Sequence, residues 1–179
     1  QWHSVRITRD KHKLTVHLKF PSPDRNNVSV QFKFRTYDES GILMYRDGSK
    51  ISVWLYLKNG KLKFEFYVPG KNLVTLDTDA WLDADFNDGE WHSVKASLDP
   101  VEMIFEVDNG KLIKTDAHAV LLSQTKNLDF ENFTHVGGGT YYKGMYGFVG
   151  CMENLHVNGA KINVSKLHKV SLTAEQQPK

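Results

Sequence analysis

Up to about residue 165, apolar and polar side chains alternate almost one for one along the chain. A period of two puts each set on one face of a β-strand, whereas a helix repeats every three to four residues. Val28, Val30, Phe32 and Phe34 alternate with Ser29, Gln31, Lys33 and Arg35, which predicts a strand with one wet face. Ile51, Val53, Leu55 and Leu57 alternate with Ser52, Trp54, Tyr56 and Lys58. Leu62, Phe64, Phe66 and Val68 alternate with Lys61, Lys63, Glu65 and Tyr67. The second set of each run is assigned to solvent. Asn59-Gly60 separates these two runs, and both residues tolerate the positive φ of a tight hairpin turn. Asn109-Gly110 joins 101–108 to 111–115 in the same way, and Asn158-Gly159 joins 149–157 to 161–164. About a dozen such segments at short spacing predict an all-β fold, a two-sheet antiparallel jelly-roll sandwich.

The 179 residues suit one domain, and a hydrophobic content of 40%, with ten Phe, seven Tyr and four Trp, supplies a sizeable core. Residues 1–170 are assigned to that domain and 171–179 to a polar tail, with a short helical turn at 166–170. Trp2-His3-Ser4-Val5 echoes Trp91-His92-Ser93-Val94. Too few residues follow Trp2 before the strand at Val28 to finish a second sandwich, so both copies are read as strands of one domain. A start at Gln1-Trp2-His3 reads as that of a processed or excised piece. The net charge of +2 gives no support to nucleic-acid binding, and no apolar run is long enough to insert in a membrane. Cys151 is the single cysteine, so no disulfide forms within the chain. Three N-x-S/T sequons, at Asn27, Asn132 and Asn163, favour an extracellular glycoprotein.

The chemistry-bearing residues do not assemble into an enzyme. Glu102, Glu106 and Asp108 share one strand face, but Ile104 interrupts the row and Met103, Phe105 and Val107 take the core side. The row is therefore a wet sheet face rather than a glycosidase carboxylate pair. Asp83-Ala84-Asp85-Phe86-Asn87 begins like a calcium loop, yet Asp88 stands where glycine is needed and Val94 where the bidentate glutamate belongs. The stretch is read as a solvated acidic connection anchored by Trp81 and Phe86. The eight His are dispersed without zinc spacing. The segment Gly138–Gly147 holds four glycines and three tyrosines. Tyrosine offers large contact area at low ordering cost, so Tyr141, Tyr142, Lys143 and Tyr146 are the candidate partner-binding residues.

Several blocks follow one another in a recognisable order. They are Phe32-Lys33-Phe34-Arg35-Thr36, Ser40-Gly41-Ile42-Leu43-Met44-Tyr45, Leu55-Tyr56-Leu57-Lys58-Asn59-Gly60, Asp88-Gly89-Glu90-Trp91-His92-Ser93-Val94, His135-Val136-Gly137-Gly138, and Gly147-Phe148-Val149-Gly150-Cys151-Met152-Glu153-Asn154-Leu155. Together they resemble a laminin G-like (LNS) domain over residues 14–170. The first block is similar to the protein S branch, and the last to neurexin, contactin-associated and Slit-type proteins. The resemblance implies a concanavalin-like sandwich in an extracellular adhesion protein. Its rim loops would bind a secreted or cell-surface protein or a sulfated glycan. It also implies two alternatives: a carrier of a small apolar ligand between the sheets, or a heparan-sulfate-binding module using Lys11-His12-Lys13, Lys58/Lys61/Lys63 and Lys161/Lys166/His168/Lys169.

The chain departs from that family twice. The family pairs a cysteine like Cys151 with a second one about thirty residues further on; either the sequence stops before that partner or the disulfide is absent, in which case Cys151 is a free thiol half-packed in a strand. Many members also hold one Ca²⁺ at the rim with two side chains and backbone carbonyls. Register puts Ile51 where the first ligand, an Asp, is expected, and Ile51 offers no oxygen. Asp47 is the substitute candidate, and Asp129 matches the second ligand. Half a calcium site is therefore present, no other cofactor is implied, and a glycan at Asn132 would crowd that rim.

Overall fold

The computed structural model describes residues 4–10, 13–71, 73–80, 84–108, 111–114, 127–138 and 141–163. Its strands are β1 (Ser4–Asp10), β2 (Lys13–Pro21), β3 (Val28–Arg35), β4 (Gly41–Arg46), β5 (Ser52–Lys58), β6 (Lys61–Tyr67) and β7 (Val74–Asp77). After a single 3-10 turn at Thr78–Ala80 come β8 (His92–Leu98), β9 (Met103–Val107), β10 (Lys111–Lys114), β11 (Phe133–Val136), β12 (Cys151–Val157) and β13 (Ala160–Lys161). They form a seven-stranded sheet in the order β1-β2-β11-β4-β5-β6-β7 and a six-stranded sheet in the order β10-β9-β8-β3-β12-β13. Neighbouring strands run antiparallel, so this is the two-sheet sandwich that the alternation predicts.

The apolar half of each alternating run fills the space between the sheets. Val28, Val30, Phe32 and Phe34 of β3 are buried, as are Leu62, Phe64 and Phe66 of β6 and Met103, Phe105 and Val107 of β9. Phe64 of the large sheet meets Phe105 of the small one with ring centres 5.8 Å apart, and Phe148 packs edge-on against Phe34 at 5.9 Å. Packed rings thus occupy the region in which an apolar cargo would sit. Each buried Phe contributes about 1.5–3 kcal/mol, which makes this layer the main source of stability. The Asn59-Gly60 and Asn158-Gly159 turns have positive φ at both positions, 52° and 76° in the first and 49° and 77° in the second. That is the type I′ geometry that matches strand twist. Asn109-Gly110 lies outside the described residues.

β1 pairs with β2 along its whole length, from Ser4 opposite Lys19 to Asp10 opposite Lys13. The echoed segment at residue 92 lies in the other sheet, between β3 and β9. The two copies are therefore an edge strand and an inner strand of one sandwich; Trp2 and His3 lie outside the described residues.

The alternation misassigns one face. Trp54 and Tyr56 on β5 and Glu65 on β6 hold the solvent register, yet they are only 8%, 2% and 0% exposed. The cause is the segment after β11, which turns back and covers the outer face of the large sheet. There it seals a second, smaller apolar cluster of Ile42, Tyr45, Trp54, Tyr56 and Met145.

Candidate functional site

The covering segment is a miniature hairpin. Tyr142 and Met145 exchange both backbone hydrogen bonds, and Lys143 and Gly144 between them have φ of 48° and 86°. A two-residue turn of this kind puts the paired residues on one side and their outer neighbours on the other. Tyr142 and Met145 face the sheet. Tyr141 and Tyr146 face solvent, 60% and 68% exposed, with ring centres 4.8 Å apart. The segment is joined to the sheet at its far end, where Ile42 N–H donates to the Tyr146 carbonyl at 2.9 Å.

The inward half is clamped at Glu65. The Tyr142 ring lies flat on Trp54, with centres 4.0 Å apart and planes 6° off parallel. Its hydroxyl donates to Glu65 Oε1, and Lys143 Nζ reaches the same carboxylate at 2.8 Å. Tyr56 donates to Oε2 at 2.9 Å, and Thr75 Oγ1 adds a longer bond at 3.2 Å. Four donors thus satisfy a carboxylate that burial would otherwise make costly. Burial first, and the Glu65 charge with it, push the Tyr56 and Tyr142 phenols well above their ordinary range. Of the four candidate contact residues, the structure leaves Tyr141 and Tyr146 exposed and commits Tyr142 and Lys143 to the sheet.

The clamp ends a row of stacked rings across the large sheet. Trp54 lies 5.1 Å from Tyr45, Tyr45 lies 4.4 Å from His135, and His135 lies 5.0 Å from His17, with interplanar angles of 17°, 10° and 14°. His17 Nε2 and His135 Nδ1 are 2.7 Å apart, so one ring donates to the other. Burial first, then the charges of His17 and Lys19, lower His135 to about 4.

Tyr37, 81% exposed, stands on the loop between β3 and β4. Thr36 donates to the Val149 carbonyl at 2.6 Å, which ties that loop to the chain just after the hairpin. The Tyr37 ring lies across Gly89, where φ is 86° and a Cβ would come within 2.3 Å of it. Sequence reasoning did not single Tyr37 out. A lone tyrosine in a polar loop carries no pattern, whereas two large aromatics at the wet register of β5 were a readable sign of a covered face.

At the opposite end of the sandwich, Asp129 opens the approach to β11 with φ of 55°. Arg25 Nη2 pairs with its Oδ1 at 2.5 Å, and Ser49 donates to Oδ2. The Ser49 hydrogen bond first, then the charges of Arg25 and Lys50, hold the Asp129 carboxyl below the usual range. Ile51 is buried at the position of the expected first ligand. Burial raises the Asp47 carboxyl, a bond from Ser52 opposes the rise, and Glu131 adds to it. Calcium requires six to eight oxygens converging on one point. Among the described residues no three His, Cys, Asp or Glu side chains gather in that way. With Ile51 in place of the first ligand and Asp129 already paired to Arg25, the residues present do not fit the ion.

The remaining candidates fall into place singly. Asn27 is half-buried at the start of β3, while Asn132 and Asn163 are exposed. Asn27 and Asn132 share the Asp129 end, where the Asn132 carbonyl accepts from Ser22 N–H at 2.7 Å. Cys151 is exposed at the head of β12 rather than half-packed. Glu106 pairs with Lys95 at 3.5 Å, and Asp108 is held by His92 at 2.8 Å and by Ser93 N–H at 2.7 Å. These carboxylates line a polar cleft of 340 Å³ on the outer face of the small sheet, and each has a structural partner. Lys61 and Lys63 are likewise paired, with Asp85 and Asp77. Asp85 thus spans the acidic connection to β6, and Phe86 is buried beside it. Trp81, Lys11, His12, Lys166, His168 and Lys169 lie outside the described residues.

A family model for the laminin G domain matches residues 34–160. Neurexin-4 of Drosophila melanogaster is 33% identical over 135 residues, which are 74% of this chain and 9% of that protein. Neural-cadherin of the same fly is 28% identical over 148 residues, 76% of this chain and 5% of that protein. Among solved structures, domains LG4-5 of the mouse laminin alpha1 chain superpose with a TM-score of 0.63 at 24% identity. That likeness, one of fold, covers 83% of this chain and 40% of the other. The chain spans less than a tenth of the curated relatives it matches, 9% and 5%.

Proposed function

The chain belongs to the laminin G domain family, and on that footing we propose that it is an extracellular, non-enzymatic binding module that holds a protein partner against Tyr141 and Tyr146. Relatives named as a neurexin and a cadherin support an adhesion or binding role outside the cell. The observation that carries the choice of surface is the division of one hairpin into two halves. Tyr142 and Lys143 bind the buried Glu65 carboxylate, and that anchorage presents two adjoining tyrosines on a rigid mount. Aromatic side chains that are already ordered lose little entropy on docking, which is what makes tyrosine effective at protein interfaces. The pairing of Glu106 and Asp108 with Lys95 and His92 argues against acid–base chemistry on the small sheet. The Lys61–Asp85 and Lys63–Asp77 pairs similarly weaken a polyanion-binding reading.

The test is a binding screen of the labelled, multimerised chain against a library of cell-surface ectodomains. The expected result is a partner whose binding is lost in Tyr141→Ser/Tyr146→Ser and unaffected by heparinase. A partner that binds the double variant as well as the parent chain overturns the assignment. Binding abolished by heparinase replaces the protein partner with a sulfated glycan.

A further inference from the structure

We propose that the sandwich end formed by residues 22–27, 46–52 and 127–132 carries its own cation. Two guanidinium groups, Arg46 and Arg25, stand in for a bound divalent ion, and this end needs no calcium.

Arg46 closes β4 and is fully buried. Its Nη2 donates to the carbonyls of Ser22 and Asp24, each at 2.7 Å, and to that of Glu131 at 2.8 Å. Nη1 donates to the Asn27 carbonyl at 2.5 Å, and Nε to Glu131 again at 3.0 Å. Four main-chain carbonyls from two separate loops therefore converge on one positive charge. That is the ligand type from which a hard metal ion builds its shell, turned here toward a planar fork. The Phe130 ring covers the guanidinium at 5.0 Å, adding a cation–π contact and excluding water. Burial lowers its pKa to about 10, so it stays charged at neutral pH.

Arg25 occupies the carboxylate side. Its Nη2 pairs with Asp129 and its Nε donates to the Phe130 carbonyl at 2.9 Å. A divalent ion at Asp129 would have to displace that pair and sit against a like charge. Ile51 provides packing where a ligand would be needed, and Asp47 bonds to Ser52. The loops at this end are thus ordered by covalently tethered cations. These cannot be extracted by a chelator, and they occupy the carbonyls of Ser22, Asp24, Asn27 and Glu131 and the Asp129 carboxylate.

Calorimetric titration with CaCl2, paired with thermal melts in CaCl2 and in EDTA, tests the proposal. No saturable heat and coincident melting temperatures are expected. Backbone NMR signals of 24–27, 47–51 and 129–132 should be the same in both buffers. Arg46→Met should lower the melting temperature by about 10 °C, because four carbonyls, that of Ser22 fully buried, lose their donor. Calcium should restore none of that loss. Should the methionine variant fail to fold, Arg46→Lys, which keeps the charge with fewer and differently placed donors, should melt below the parent chain. In Arg25→Ala the Asp129 carboxyl should titrate closer to its ordinary pKa. A saturable calcium heat that disappears in Asp129→Ala overturns the proposal. So does a melting temperature raised by calcium, or an Arg46→Met variant as stable as the parent.

Discussion

Glu65 and Arg46 are both fully buried charges, and they secure two parts of the sandwich by opposite means. Glu65 gathers donors from side chains: Tyr56, Tyr142, Lys143 and Thr75. Arg46 gathers acceptors from the main chain: the carbonyls of Ser22, Asp24, Asn27 and Glu131. The difference has consequences for each region. A side-chain hub depends on which residues the covering segment carries. A carbonyl hub depends only on the path of the loops, since every residue brings a carbonyl. The Arg46 end should therefore tolerate changes at Asp24 and Glu131, whereas the Glu65 face should not tolerate changes at Tyr142 or Lys143. The Glu65 hub supports the exposed tyrosine pair, so loss of the clamp should reach function. Loss of the Arg46 hub should reach stability first.

The sharpest way to break this comparison is to remove each charge in turn. Arg46→Met should cost about 4 kcal/mol in urea unfolding, since four carbonyls lose the donor that gathers the two loops. Glu65→Gln should cost about 2 kcal/mol, because the amide keeps one acceptor oxygen in place of two and leaves Lys143 without its counter-charge. It should also speed hydrogen exchange at Met145 N–H, which closes the hairpin. An equal cost for the two, or a larger one at Glu65, would reverse the ranking. Acid adds a third distinction, at the ring row. His135 binds its proton at about 4 when folded and at 6.5 in its ordinary state. The unfolded chain therefore takes up the proton first, and this contribution to stability is present above 6.5, falls between 6.5 and 4, and is lost below 4. Melts across that window should show the slope in the parent chain and a flatter one in His135→Phe. Tyr142→Phe keeps the stack on Trp54 and loses one hydrogen bond, so it should cost about 1 kcal/mol. The smallest effect belongs to Tyr141→Ser/Tyr146→Ser, within about 0.5 kcal/mol of the parent. A large loss of stability in that double variant would show the pair to be structural rather than presented for binding.

Much of the core was legible from residue type alone. The runs beginning at Val28 and Leu62 are buried at the positions their alternation names, and Asn59-Gly60 and Asn158-Gly159 turn as their composition requires. The reading failed at Trp54, Tyr56 and Glu65, because alternation distinguishes two faces without telling what covers either. The tyrosine-rich segment was singled out by composition, but composition treats Tyr141, Tyr142 and Tyr146 alike. The tight turn at Lys143-Gly144 separates them, sending one ring inward and two outward. At the other end Asp129 was picked out as half of a metal site. Arg25, far away in sequence, converts it into half of an ion pair.

The sequence by itself determined the sandwich, its hairpins and its family, because those rest on local rules: a period of two, positive φ at Asn-Gly, and ordered blocks along the chain. The tertiary structure alone decided which charges hold it together and which tyrosines face outward. The Tyr142–Glu65 bond joins residues 77 positions apart, and the Arg46–Glu131 bond joins residues 85 apart. No pattern of neighbours encodes such pairs, since they exist only after two sheets and their loops have closed around a shared charge.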